Sequence, residues 1–171
     1  MAGGMLIKTA SWFTPLPDDH IRIGISRGVP RFSKIGKGYR VYRRLAPGPW
    51  FNSTDTQDAV ARLETWAAAA SAAVAEGLRA RIAYREAAGF TALYREVLSK
   101  LDPPQVVDEL MRIADGKIPV LCCFEKVGGP QWCHRSQAAA WLSEALGCVV
   151  PEFGHENLPQ VRHPLLPQEL V

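Results

Sequence analysis

The run Val120-Leu121-Cys122-Cys123-Phe124-Glu125, separated by seven residues from Cys133-His134-Arg135-Ser136, constrains the fold more than any other part of the chain. A short apolar, Cys-rich run reads as a buried strand, Gly128-Gly129-Pro130 as a turn, and Cys133 to Leu146 as a helix. The polar cluster then lies at the carboxyl end of a strand and the start of a helix, where open α/β sheets bind their ligands. With 47% hydrophobic residues in 171, the chain can bury one substantial core, and nothing in it demands a second domain.

The rest of the chain alternates in the same way. Met5 to Ser11 and Ile21 to Ser26 read as strands, the second with Ile21, Ile23 and Ile25 on one side. Residues 29–52 are rich in Gly, Pro and Arg with aromatics interleaved, which predicts a long basic loop. A helix capped by Ser53, Thr54 or Asp55 runs to about Gly77, a second spans Phe90 to Leu101, and a third follows the Asp102-Pro103 start to Ala114. Lys117 to Glu125 is the core strand, Cys148 to Val150 a last short one, and 151–171 an irregular, peripheral tail; residues 1–4 are a dispensable start. The expected fold is one α/β domain, a Rossmann-like layered fold with a small, mostly parallel sheet flanked by helices.

Charge is distributed unevenly. Between His20 and Thr54 there are eight basic residues (Arg22, Arg27, Arg31, Lys34, Lys37, Arg40, Arg43 and Arg44) and no acid, leaving 12 basic against 17 acidic residues elsewhere. Clustered positive charge attracts phosphate or carboxylate, so an anionic small molecule or nucleotide is the expected partner. The four cysteines lack the spacing of a disulfide framework, and adjacent Cys122 and Cys123 point to opposite faces of a strand. No apolar run approaches a membrane span, and the amino terminus lacks a signal-peptide pattern, so a cytoplasmic protein without a membrane partner is expected.

Ser-Arg-Gly-x-Pro at 26–30, Leu-Ala-Pro at 45–47, Leu-Asp-Pro at 101–103, and Cys-Phe-Glu at 123–125 with Cys-His-Arg-Ser at 133–136 occur in this order. Together they resemble the bacterial domain-of-unknown-function family numbered 488, over about Thr9 to Pro151. The resemblance implies a Rossmann-like α/β domain whose shared polar residues would here be Arg27, Cys123, Glu125, Cys133, His134 and Arg135. It implies no activity. Cys122 stands where the resemblance leads one to expect an aliphatic residue, which marks it as core filler.

On a strand, Cys123 and Glu125 share a face. A helix start lowers the pKa of a cysteine, making Cys133 a candidate nucleophile, although a packing role beside Trp132 stands slightly ahead because no dedicated base is evident. His134 is a candidate acid/base; neighbours on a helix diverge by about 100°, so it need not face the Cys133 sulfur. Glu125 is a second acid/base candidate or a salt-bridge partner for Arg135 or Arg27. The planar guanidinium groups of Arg27 and Arg135 suit bidentate binding of an anion, with Ser136 and Cys123 completing the ligand-binding set.

Known templates fail. Cys-x5-Arg would need Arg at position 129 or 139, where Gly129 and Ala139 stand, and the dinucleotide, P-loop and zincin signatures are missing. The Cys-Cys-x9-Cys-His spacing does not suggest a metal site, since structural zinc usually takes ligand pairs two to four residues apart. No cofactor is indicated. The expected function is a small enzyme or sensor that binds an anionic, nucleotide-like ligand at the strand-end crevice; the alternative is a nucleic-acid-binding module using the basic aromatic loop 22–51.

Overall fold

The structure, a computed structural model, describes residues 7–30, 38–48, 90–128, 132–156 and 163–166. Four strands, β1 (Lys8–Ser11), β2 (His20–Gly24), β3 (Arg40–Val41) and β4 (Ile118–Cys123), form one sheet in the order β1-β4-β2-β3, every pairing parallel. The chain is an α/β layered fold with a small parallel sheet, as its alternating pattern predicts. β4 is central and buried on both faces, which is why it reads as an uninterrupted apolar run. Leu121 enters the main core beneath the helices, whereas Val120 and Cys122 face a second cluster with Ala10 and Trp12. Cys122 is fully buried there, the core filler expected of it.

Three helical segments pack on the Leu121 side, contributing Tyr94, Val106, Leu110 and Leu142 to one core with Ile21, Ile23 and Ile25. They are α1 (helical residues 90–99), α2 (Pro103–Ala114) and α3 (His134–Leu146). Asp102 caps α2, its Oδ2 accepting from the Gln105 amide at 3.2 Å, with Pro103 in the first turn where its missing N–H costs nothing. α3 is buried on all sides from His134 to Ala139, because its start is enclosed by β4, α1 and the carboxyl-terminal tail. No described helix is long and apolar enough to cross a membrane. The helix expected from residues 53–55 to about Gly77 lies outside the described residues.

Three expectations need correction. The segment 29–52 is not simply loop: Arg40 and Val41 pair with Ile23 and Gly24, and Arg43–Leu45 forms a 3-10 turn whose Leu45 is fully buried. Cys148 to Val150 is not a strand; the only pairing beyond α3 among the described residues is a parallel bridge from Thr9 to Glu152. The tail is irregular but not peripheral, since Glu152 and Leu165 are both buried. Backbone bonds from Thr9 to Pro151 (2.9 Å) and from Phe153 to Thr9 (2.8 Å) fasten it along the edge of β1.

Candidate functional site

At the carboxyl end of β4 the structure gathers Cys123, Cys133, His134 and Glu125. Cys123 Sγ lies 3.7 Å and Cys133 Sγ 3.9 Å from His134 Nδ1, and these three atoms all fall within 4.8 Å of one another. The other ring nitrogen, Nε2, is 2.8 Å from the Ile25 carbonyl, which can only accept, so Nε2 carries a hydrogen. In the neutral ring the Nδ1 lone pair therefore faces both sulfurs. Tyr94 fixes the imidazole from the side, ring edge to face with centroids 5.2 Å apart, and is itself anchored by its hydroxyl donating to Leu45 O.

The adjacency of Cys133 and His134 works differently from the helical expectation. Cys133 is the residue before the helix, with extended backbone (φ −138, ψ 141), and His134 is the first residue inside it. The 100° divergence applies only between helical residues, and across this junction both side chains reach the same point. Cys133 is held in place by its amide donating to Leu165 O at 3.3 Å.

Electrostatics at this point set the two thiols apart. Cys133 and burial push the Cys123 thiol far above its ordinary range. Burial also opposes charge on Cys133, but Cys123, His134 and Arg135 outweigh it and bring this thiol below the usual value. Glu125 is half-buried; burial alone would raise its carboxyl, yet the Cys133 thiol, its own backbone and Cys123 hold it below the usual range. Its Oε2 is buried with no hydrogen-bond partner among the described residues.

Arg135, expected to bind an anionic ligand, is committed inside the protein. It is fully buried, and its Nε and Nη2 donate to the two oxygens of Glu152 at 3.1 and 2.7 Å while Nη1 donates to the Glu125 carbonyl at 2.7 Å. The carboxylate partner is thus Glu152 and not Glu125, which meets Arg135 only through its main chain. Glu152 also accepts from Thr9 Oγ1 at 2.5 Å and lies 3.4 Å from His163 Nε2. Burial would raise its pKa, but His163, Arg135 and Thr9 hold it at about 2. Ser136 is likewise engaged inside the protein: its buried hydroxyl is shared between the carbonyls of Cys133 (2.7 Å) and Leu165 (3.2 Å).

Arg27 remains exposed, with Nη1 donating to Gly48 O, and lies two residues beyond Ile25, whose carbonyl holds His134. Other basic residues of segment 22–51 are tied into the fold. Arg22 donates to the carbonyls of Trp12 and Thr14, Arg43 to Arg27 O, and Arg44 to Glu109, which also accepts from the Tyr42 hydroxyl. Burial and Glu109 raise Tyr42 to about 12. Lys34 and Lys37 lie outside the described residues; Arg40, bonded to the Tyr39 carbonyl, is exposed, and Arg43 and Arg44 keep exposed surface as well.

The sequence reading missed Glu152 and His163. A carboxylate between Val149-Val150-Pro151 and Phe153 is the one available signal that Glu152 is buried and paired; His163 carries none. Exposed Phe13 and Phe124 sit just past the ends of β1 and β4, ring centroids 6.4 Å apart, with Lys126 Nζ 5.5 Å from the Phe13 centroid. A separate groove of about 360 Å³ runs between α1 and α3 past Arg95, Gln137 and Glu144, away from the thiols. Compared with protein-family models, curated proteins and solved structures, the chain matches none.

Proposed function

We propose that the protein is a small enzyme or sensor whose working centre is the Cys123–Cys133–His134–Glu125 cluster and whose ligand is an anionic, nucleotide-like molecule bound at the same end of the sheet. The convergence of two thiols on one imidazole nitrogen, near a carboxylate oxygen without a partner among the described residues, carries this reading. Packing alone does not call for such a set, because buried polar groups are ordinarily satisfied. The position, past the carboxyl end of the central strand of a parallel sheet, is where α/β folds place their ligands. Arg27 supplies an exposed guanidinium for a phosphate, and Phe13 and Phe124 offer faces on which a base can stack.

The test combines ligand protection with thiol labelling. The reduced chain is treated with iodoacetamide near neutral pH, with and without phosphate, pyrophosphate and a panel of mononucleotides, and labelling is read residue by residue. Cys133 should react faster than Cys122, and at least one anion should slow that reaction and raise the melting temperature; Arg27→Ala should lose both effects. Labelling of Cys133 no faster than of Cys122, with no anion altering it, overturns the proposal.

A further inference from the structure

We infer that the cluster at the end of β4 binds one divalent cation of zinc-like softness, held by Cys123 Sγ, Cys133 Sγ and His134 Nδ1. The inference rests on the reading of this cluster as the working centre and names what occupies it.

The spacing is that of ligands around one ion. Zinc bonds to sulfur at about 2.3 Å and to imidazole nitrogen at about 2.0–2.1 Å, so at a tetrahedral angle sulfur and nitrogen lie about 3.6 Å apart and two sulfurs about 3.8 Å. The sulfur–nitrogen separations here are 3.7 and 3.9 Å, and no pair among the three atoms exceeds 4.8 Å. The sulfur–nitrogen pairs thus lie within a few tenths of an ångström of the coordinated spacing, and the sulfurs need to approach by at most about 1 Å.

The outer contacts match as well. A ligating imidazole commonly donates its other N–H to a carbonyl or carboxylate, which fixes the tautomer and aims the lone pair at the metal. His134 does this with Ile25 O at 2.8 Å, and Tyr94 packs on the ring. Leu165 and Val127 enclose the sulfurs in an apolar shell. Glu125, two residues past Cys123, has a buried Oε2 without a hydrogen-bond partner among the described residues, but it stands outside the three-atom set.

Donor chemistry selects the ion. Thiolate and imidazole favour zinc and other borderline-soft metals over magnesium or calcium, which take oxygen ligands. Binding releases the two thiol protons to solvent. The dication with two thiolates and a neutral imidazole then leaves the centre without net charge. Two cysteines and one histidine with an exchangeable fourth position are a ligand set used in catalytic zinc sites, and that fourth position is where an incoming anion or water would bind.

The chain, reduced and stripped with a chelator, is titrated first with Co²⁺ and then with Zn²⁺. One cobalt per chain should give thiolate-to-cobalt charge-transfer absorption in the near ultraviolet and tetrahedral bands in the visible, both abolished by zinc. Cys123→Ser and Cys133→Ser should each weaken cobalt binding by on the order of 100-fold or more. Glu125→Gln, outside the three-atom set, should keep the charge-transfer absorption. Cys122→Ser, whose side chain lies on the opposite face of β4, should bind as the parent does.

Wild-type chain that takes up no stoichiometric cobalt, or takes it up without charge-transfer absorption, overturns the inference even if a serine variant fails to fold. So does loss of binding in Cys122→Ser at an unchanged melting temperature. If cobalt does not bind but an anion still protects Cys133, this inference falls and the proposed function stands. If cobalt binds at the cluster and no anion acts on the site, the metal centre stands and the ligand half of that proposal falls.

Discussion

Arg135 has no contact with solvent, and that decides how its substitution behaves. Removing one partner of a buried, doubly hydrogen-bonded ion pair leaves the other charge unpaired, which costs about 3–5 kcal/mol. Arg135→Met should therefore lower the stability measured by urea unfolding by about that much, while Arg27→Ala at an exposed site should change it by about 0.5 kcal/mol or less. Arg135→Met within about 1 kcal/mol of the parent would mean that Glu152 finds another partner. The same pair sets an acid limit. The Glu152 carboxyl lies at about 2 when folded, against 4.5 for an ordinary glutamate, so its contribution is fully present above 4.5 and is lost as pH falls toward 2. That contribution is on the order of 3 kcal/mol. Stability measured across this window should fall for the parent, whereas Glu152→Gln should begin lower and vary less; parallel curves would place the acid sensitivity elsewhere. Among individual residues, the sequence points to Cys123, Glu125, Cys133 and His134 as neighbours of one strand end and one helix start, but not to the common point that Cys133 and His134 reach across the helix junction. It hides the fate of Arg135, because its partner follows 17 residues later in a segment without periodicity.

Between β1 and β2 the chain must return to the start of the sheet and cross β4, a parallel connection that usually takes a helix. Here residues 12–19 do it alone. They are pinned by Arg22, which donates to the Trp12 and Thr14 carbonyls at 3.1 and 2.6 Å, and by the Trp12 indole donating to Ser26 Oγ at 3.0 Å. Trp12 lies so close over β2 that a Cβ at Gly24 would fall 2.4 Å from its Cζ2. Gly24→Ala should therefore cost about 1–3 kcal/mol, the range for overpacking. In a Trp12→Leu background the same substitution should cost much less, and a double-mutant cycle by denaturant unfolding reads the coupling. Additive effects would show that the close approach relaxes without cost. Local signals gave α2 and its Asp102 cap correctly, since a cap, a first-turn proline and helical spacing all lie within the element. β3 was invisible for the opposite reason: Arg40-Val41 is too short to carry a period, and its pairing with Ile23-Gly24 is a long-range choice.

Over the whole molecule, the carboxyl-terminal segment acts as a brace joining the edge of the sheet to the thiol centre. Residues 151–153 bond both sides of Thr9 and so cover the free edge of β1, and Lys8 pairs with Glu156 at 3.0 Å. Glu152 within this stretch neutralises Arg135 at the start of α3, and farther on Leu165 covers Cys123 and Cys133 while its carbonyl receives the Cys133 amide and the Ser136 hydroxyl. The two parts of the brace do separate work, so two truncations should have different outcomes. Ending the chain after Val150 removes the edge cover and the partner of a buried charge together, and should yield a chain that unfolds or aggregates. Ending it after Glu156 keeps both and removes the cover of the cysteines together with His163, the outer neighbour of Glu152. That shorter chain should keep its fold by circular dichroism with a modest fall in melting temperature, while iodoacetamide reaches Cys133 faster than in the full chain. Equal labelling of Cys133 in the two folded chains would show that Leu165 does not limit access, and a folded, soluble chain ending at Val150 would show that the ion pair and the edge cover are dispensable to the fold.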